Sequence, residues 1–102
     1  MNKLYRKGYY YERKVKQILE KDGYLVWRSP GSKSPIDIIA IDNKGSVRLI
    51  QVKSHKNIKK EEIETLKELA KKYENVPNVE IELWIFNKRQ KIIYNKKALL
   101  NL

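Results

Sequence analysis

The sequence has 102 residues and a mass of 12.2 kDa, enough for one hydrophobic core and too little for two. Its 23 Lys and Arg stand against 12 Asp and Glu, giving a net charge of +11 that points to a polyanionic partner, while 41% hydrophobic content excludes a disordered chain. The absence of Cys and a lone His exclude disulfide frameworks, zinc fingers and cysteine nucleophiles, and no apolar run reaches the roughly 18 residues of a membrane helix or forms a signal peptide, so a cytoplasmic protein is expected.

In chain order, the first predicted element is a helix from about Gly8 to Asp22, because Tyr11, Val15, Ile18 and Leu19 recur at helical spacing and Gly23 supplies a stop. Tyr24 to Arg28 reads as a short strand. Residues 29–35, dense in Ser, Pro and Gly, read as a loop beside the functional end. Ile36 to Asp42 and Val47 to Lys53 are strands apolar on nearly both faces, as central strands under helices are, and Asn43-Lys44-Gly45 joins them as a hairpin. Ile63, Leu66, Leu69, Ala70 and Tyr73 draw a second amphipathic helix from about Glu61. Val79 to Phe86 and Lys91 to Tyr94 are strands separated by a turn at Asn87 to Gln90, and the tail from Asn95 reads as a last helical turn with Asn95 as its cap. Trp27, Trp84 and Phe86 are expected in the core or at a subunit contact. This order of elements predicts an α/β domain over residues 1–102, with a central mixed β-sheet flanked by helices.

Asp37 is an acid inside the run Ile36 to Ile41, where both strand propensity and burial disfavour it. If the hairpin turns about Lys44, Asp37 faces Gln51, a pairing that a bulge at Gly45 would slip by one, and Lys53 emerges two residues further on the same face. A carboxylate, an amide and an ammonium at one place suit metal-assisted phosphodiester cleavage. The oxygens hold Mg²⁺ or Mn²⁺, and the lysine orients the attacking water or neutralises charge developing at phosphorus. Glu12, beside the apolar seam of the first helix, is a candidate for a further carboxylate. The bland alternatives are a solvated Glu12, an Asp37 paired structurally with Arg28 or Lys53, a Gln51 bonded to neighbouring backbone, and a Lys53 that marks where the strand meets water.

Gly8-Tyr9-Tyr10-Tyr11-Glu12-Arg13, Pro30-Gly31-Ser32, Asp37-Ile38-Ile39-Ala40 and Gln51-Val52-Lys53 together resemble the PD-(D/E)xK nuclease superfamily, and within it the small archaeal Holliday-junction resolvases. The resemblance covers residues 3 to 60 and implies a restriction-endonuclease-like fold and a metal-dependent homodimer that cuts four-way DNA junctions. It implies that Glu12, Asp37 and Gln51 are metal ligands, Lys53 the motif lysine and Ser32 the serine of the Gly-Ser loop, with Arg13 beside the helix glutamate. One position departs from the pattern. Gln51 stands where resolvases carry Glu, as in Mrr-like restriction nucleases, which keeps an oxygen ligand and removes one negative charge.

Residues 61 to 82 hold seven acids and three bases, so the positive charge is concentrated elsewhere, in clusters near the N-terminus, after Gln51 and after Asn87. Lys3, Arg6, Lys7, Arg13, Lys33 and Lys56 are the expected DNA contacts. One or two of Tyr9, Tyr10 and Tyr11 are candidates to stack on unpaired bases. The competing readings are an Mrr-like duplex or flap nuclease and a non-catalytic nucleic-acid-binding module on the same scaffold.

Overall fold

The first helix, α1 (Lys3–Lys21), lies on one side of a five-stranded sheet, and α2 (Lys60–Lys72) with α3 (Lys96–Leu100) lies on the other. The strands β1 (Leu25–Arg28), β2 (Ile38–Ile41), β3 (Val47–Lys53), β4 (Val79–Asn87) and β5 (Gln90–Tyr94) stand side by side in chain order. Among the described residues only β3 and β4 run parallel, so α2 serves as their crossover, and the other pairings are antiparallel. This computed structural model describes residues 3–29, 34–88 and 90–102, and of residues 3–8 the backbone alone. Ser32 and Lys33, with the rest of the Pro-Gly-Ser motif, and Arg89 lie outside the described residues.

The α1 seam is the expected one, with Val15 and Leu19 fully buried and Tyr11 and Ile18 packed beside them. The helix begins at Lys3 rather than near Gly8, because one interior glycine costs only about 1 kcal/mol relative to alanine. It ends in a Schellman motif. Tyr24 N–H donates to the Leu19 carbonyl at 3.0 Å and Gly23 N–H to that of Glu20 at 3.1 Å, with Gly23 at a φ of +90° that a glycine adopts without strain.

The β2–β3 hairpin is held by Asp42, whose Oδ1 accepts from the backbone N–H of Lys44 at 2.8 Å and of Ser46 at 2.9 Å. Those bonds, Ser46 first, keep its carboxyl below the usual carboxylate range. The pairs Ile38 with Ile50 through Ile41 with Val47 have the register expected for a turn about Lys44. Both faces of the central strands are covered. Val26, Ile38, Ala40, Ile50, Val52, Trp84 and Phe86 pack toward α1, while Ile81, Leu83 and Ile85 pack against Leu66, Ala70 and Leu99. Trp84 and Phe86 are thus core residues, but Trp27 is not: it lies on edge strand β1 and is 51% exposed.

Asn95 caps α3 as expected, accepting from Ala98 N–H at 2.9 Å. The next residue ties this tail to the α2–β4 connection, since Lys96 Nζ donates to the carbonyls of Tyr73, Val76 and Val79 at 2.7–2.9 Å. Several strand boundaries differ from expectation by one or two residues. β2 starts at Ile38 instead of Ile36, and β4 and β5 extend to Asn87 and Gln90, which pair directly and narrow the turn to two residues. Among the described residues no helix is long and apolar enough to cross a membrane.

Candidate nuclease site

Asp37 sits at the entrance to β2, where the sheet departs from regular alternation. Continued one step, the register would pair it with Gln51, yet its N–H donates to the Ile50 carbonyl at 2.9 Å. The side chains record this slip. Ile36 belongs to the core on the α2 side and Ile38 to that on the α1 side, which an uninterrupted strand would not allow for residues two apart. The break leaves Asp37 at the end of the sheet, between the two helical layers. There its Oδ2 accepts from Val52 N–H at 2.8 Å, taking the place of a backbone acceptor.

An open cleft of about 490 Å³ surrounds this point and is lined by Glu12 from α1, Asp37, Gln51 and Lys53 from the hairpin, and Glu61, Glu62 and Thr65 from α2. The four residues expected to converge therefore do so. Arg28 pairs with Glu12 instead of Asp37, its Nη2 and Nε donating to Glu12 Oε1 at 3.1 and 3.3 Å, and its guanidinium lies 4.3 Å from the centre of the Tyr9 ring. Lys53 Nζ lies 2.7 Å from Glu62 Oε2, an ion pair whose angles fall outside hydrogen-bond geometry. Burial is the main influence on Asp37 and raises its carboxyl above the usual range. The Val52 N–H opposes that shift, the neighbouring Glu12 charge adds to it, and Lys53 and Arg28 reduce it.

Gln51 is 9% exposed, and its Oε1 is buried without a hydrogen-bond partner. Such an oxygen normally finds a donor. Among the described residues no three acidic or imidazole groups form a ready ligand set, so a cation held here would depend on the Gln51 amide oxygen as well as on Asp37 and Glu12. The donor set fits a hard divalent ion: two carboxylates of adjacent elements and one unsatisfied carbonyl oxygen.

Of the expected DNA contacts, Arg13 and Lys56 are exposed, Arg13 with its guanidinium 5.7 Å from the centre of the Tyr9 ring. Lys3, Arg6 and Lys7 lie on the first two turns of α1. Sequence reasoning missed Glu62. It lies in the first turn of α2, where an acid offsets the helix dipole, and nothing in the local pattern distinguishes it from Glu61.

The fold is that of restriction-endonuclease-like domains, an α/β sandwich whose cleft opens at one end of a mixed sheet. The sequence model of the archaeal Holliday junction resolvase (Hjc) family matches residues 3–98, and the chain belongs to that family. The crossover junction endodeoxyribonuclease Hjc of Methanocaldococcus jannaschii is 44% identical over an alignment of 70 residues that covers 65% of this chain and 51% of that protein. The chain thus spans about half the length of this curated relative. The crystal structure of Archaeoglobus fulgidus Hjc, a Holliday junction resolvase from an archaeal hyperthermophile, superposes with a TM-score of 0.66, covers 89% of this chain and 74% of that one, and is 24% identical in sequence, a likeness of fold.

Proposed function

We propose that the chain is a divalent-metal-dependent DNA endonuclease that hydrolyses phosphodiester bonds at four-way junctions. The observation that carries this reading is the convergence of Glu12, Asp37, Gln51 and Lys53 on one cleft, with the Gln51 Oε1 buried and unsatisfied. Asp37, Gln51 and Glu12 would hold Mg²⁺ or Mn²⁺. When bound, such an ion polarises the phosphate and lowers the pKa of water.

The remaining chemistry falls to the chain itself. Lys53 Nζ presents a positive charge to the phosphate as negative charge builds on its oxygens, and Glu62 fixes where that ammonium stands. Arg28 holds the Glu12 carboxylate at the cleft by both of its bonds to Oε1. The net charge of +11 favours a polyanionic substrate, and the related endonucleases named above favour a junction. A homodimer is part of this reading, because a junction offers two strands to cut. Exposed Leu25 and Trp27 on the edge strand are apolar surface that supports a second copy.

The test is a cleavage panel of four-way junction, flap, linear duplex and single strand with Mg²⁺, Mn²⁺ or EDTA. Junction cleavage with either metal and none in EDTA is expected, and light scattering is expected to give twice the 12.2 kDa chain mass. Junction binding with no cleavage under any metal overturns the catalytic reading. The Mrr-like alternative is favoured by one feature, the amide at Gln51, and cleavage of plain duplex or flap in preference to the junction would establish it.

A further inference from the structure

α1 separates two clefts of opposite character. The one described above contains four carboxylates, those of Glu12, Asp37, Glu61 and Glu62. The other, about 290 Å³, lies between α1 and the β4–β5 hairpin and is lined by Tyr10, Tyr11, Lys14, Phe86, Lys88 and Lys91 among others, with no acid among the described residues that line it.

Both clefts open at the same end of the sheet. Lys53, in the first, pairs in register with Ile85, and Phe86 of the second is the next residue along β4. The second cleft is organised by its aromatic floor. Tyr11 stacks on Phe86 with centroids 4.6 Å apart, Lys14 Nζ is 5.9 Å from the Phe86 centroid, and Lys91 Nζ is 5.3 Å from that of Trp84. Tyr10 stands at the lip, 59% exposed, touching Tyr11 edge to face. Tyr10 lines the same cleft as Lys14, Lys88 and Lys91 and takes no part in the buried core.

We infer that this second cleft binds an unpaired nucleotide of the DNA, with the base stacked on Tyr10 and the flanking phosphates among Lys14, Lys88 and Lys91. A base within a duplex has both faces covered by its neighbours, whereas an unpaired base offers one to an aromatic ring. The cleft sits near the low end of small-ligand pockets, about 300–1,000 Å³, which admits a base and excludes a duplex. Two of the first cleft's carboxylates are paired with Arg28 and Lys53, which leaves Asp37 and Glu61 to oppose a phosphate, whereas the second cleft sets only lysines toward it. The inference rests on the nuclease reading for the source of the strand but not on the metal site.

The test is fluorescence anisotropy of labelled oligo-dT and of a blunt duplex of equal length, in EDTA, with the full chain. Tyr10→Leu is expected to weaken oligo-dT binding about fivefold or more while leaving duplex binding within twofold, and Tyr10→Phe is expected to restore it. Lys14→Gln with Lys91→Gln is expected to reduce the log–log salt slope for oligo-dT by about 1.4, since each phosphate contact on a single strand contributes about 0.7. Equal loss on both DNAs with Tyr10→Leu, or no loss on oligo-dT, overturns the inference whatever the cleavage panel shows. If the wild type binds oligo-dT through Tyr10 yet cuts no DNA with metal, the inference stands and the nuclease reading fails.

Discussion

The two ends of β3 both carry polar side chains into partly buried positions, and they treat them in opposite ways. At its start, Arg48 meets Glu82 in a two-pronged ion pair, Nε to Oε2 at 2.6 Å and Nη2 to Oε1 at 2.7 Å, and Trp84 Nε1 donates to Glu82 Oε1 at 2.8 Å. The guanidinium also lies 5.3 Å from the Tyr24 ring centre, and the Glu82 bond pushes its pKa upward. At the other end, the Gln51 oxygen is left without a donor, and burial raises Asp37 although Lys53 and Arg28 are near. The first arrangement is complete within the chain. The second leaves a buried carbonyl oxygen unanswered and a carboxyl held against its own burial, and it is on this contrast that the proposed metal site rests.

The sharpest test of this contrast is Asp37→Ala. Cleavage is expected to fall about 100-fold or more, the scale on which one charge-stabilising group acts, with junction binding retained in a mobility-shift assay. Wild-type cleavage by this variant would show the cleft to be misassigned. Next in size is Arg48→Leu, which leaves Glu82, 3% exposed, without its cation. Urea unfolding is expected to show a loss of about 3–5 kcal/mol, largely recovered by adding Glu82→Gln.

Gln51→Glu supplies the negative charge of the motif that the sequence resembles and is expected to lower the Mg²⁺ concentration for half-maximal cleavage by about tenfold, read from a metal titration. The smallest effect concerns pH. A carboxyl whose pKa is raised by folding favours the folded state most below its unfolded value, near 3.8, and that contribution is lost as pH rises through the folded value. In EDTA, Asp37→Asn is therefore expected to melt higher than wild type at pH 7, with the gap closing below pH 4. A gap that widened toward acid would contradict the raised pKa.

Much of this was legible in the residues, because the signals were local. The Asp42 to Gly45 turn set the hairpin register, and the spacing of Tyr11, Val15 and Leu19 set the face of α1, so the meeting of Glu12, Asp37, Gln51 and Lys53 could be anticipated. The slip at Asp37 could not. Alternation alone places Ile36 and Ile38 on one face, and only the packing of both helical layers draws them to opposite ones. Glu62 was missed for a related reason: it reaches Lys53 only through the way α2 docks on the sheet. Trp27 was expected in the core or at a subunit contact, and the core is ruled out because β1 is an edge strand that leaves its side chain half exposed.

The tether formed by Lys96 has a practical consequence for a protein so rich in amines. Its ammonium sits among three main-chain oxygens much as a small alkali ion would, with all its protons engaged. Amine-directed acylating reagents, which need a free lone pair, are expected to modify Lys96 far more slowly than exposed Lys97 beside it. Its labelling rate would then report on opening of the C-terminal segment.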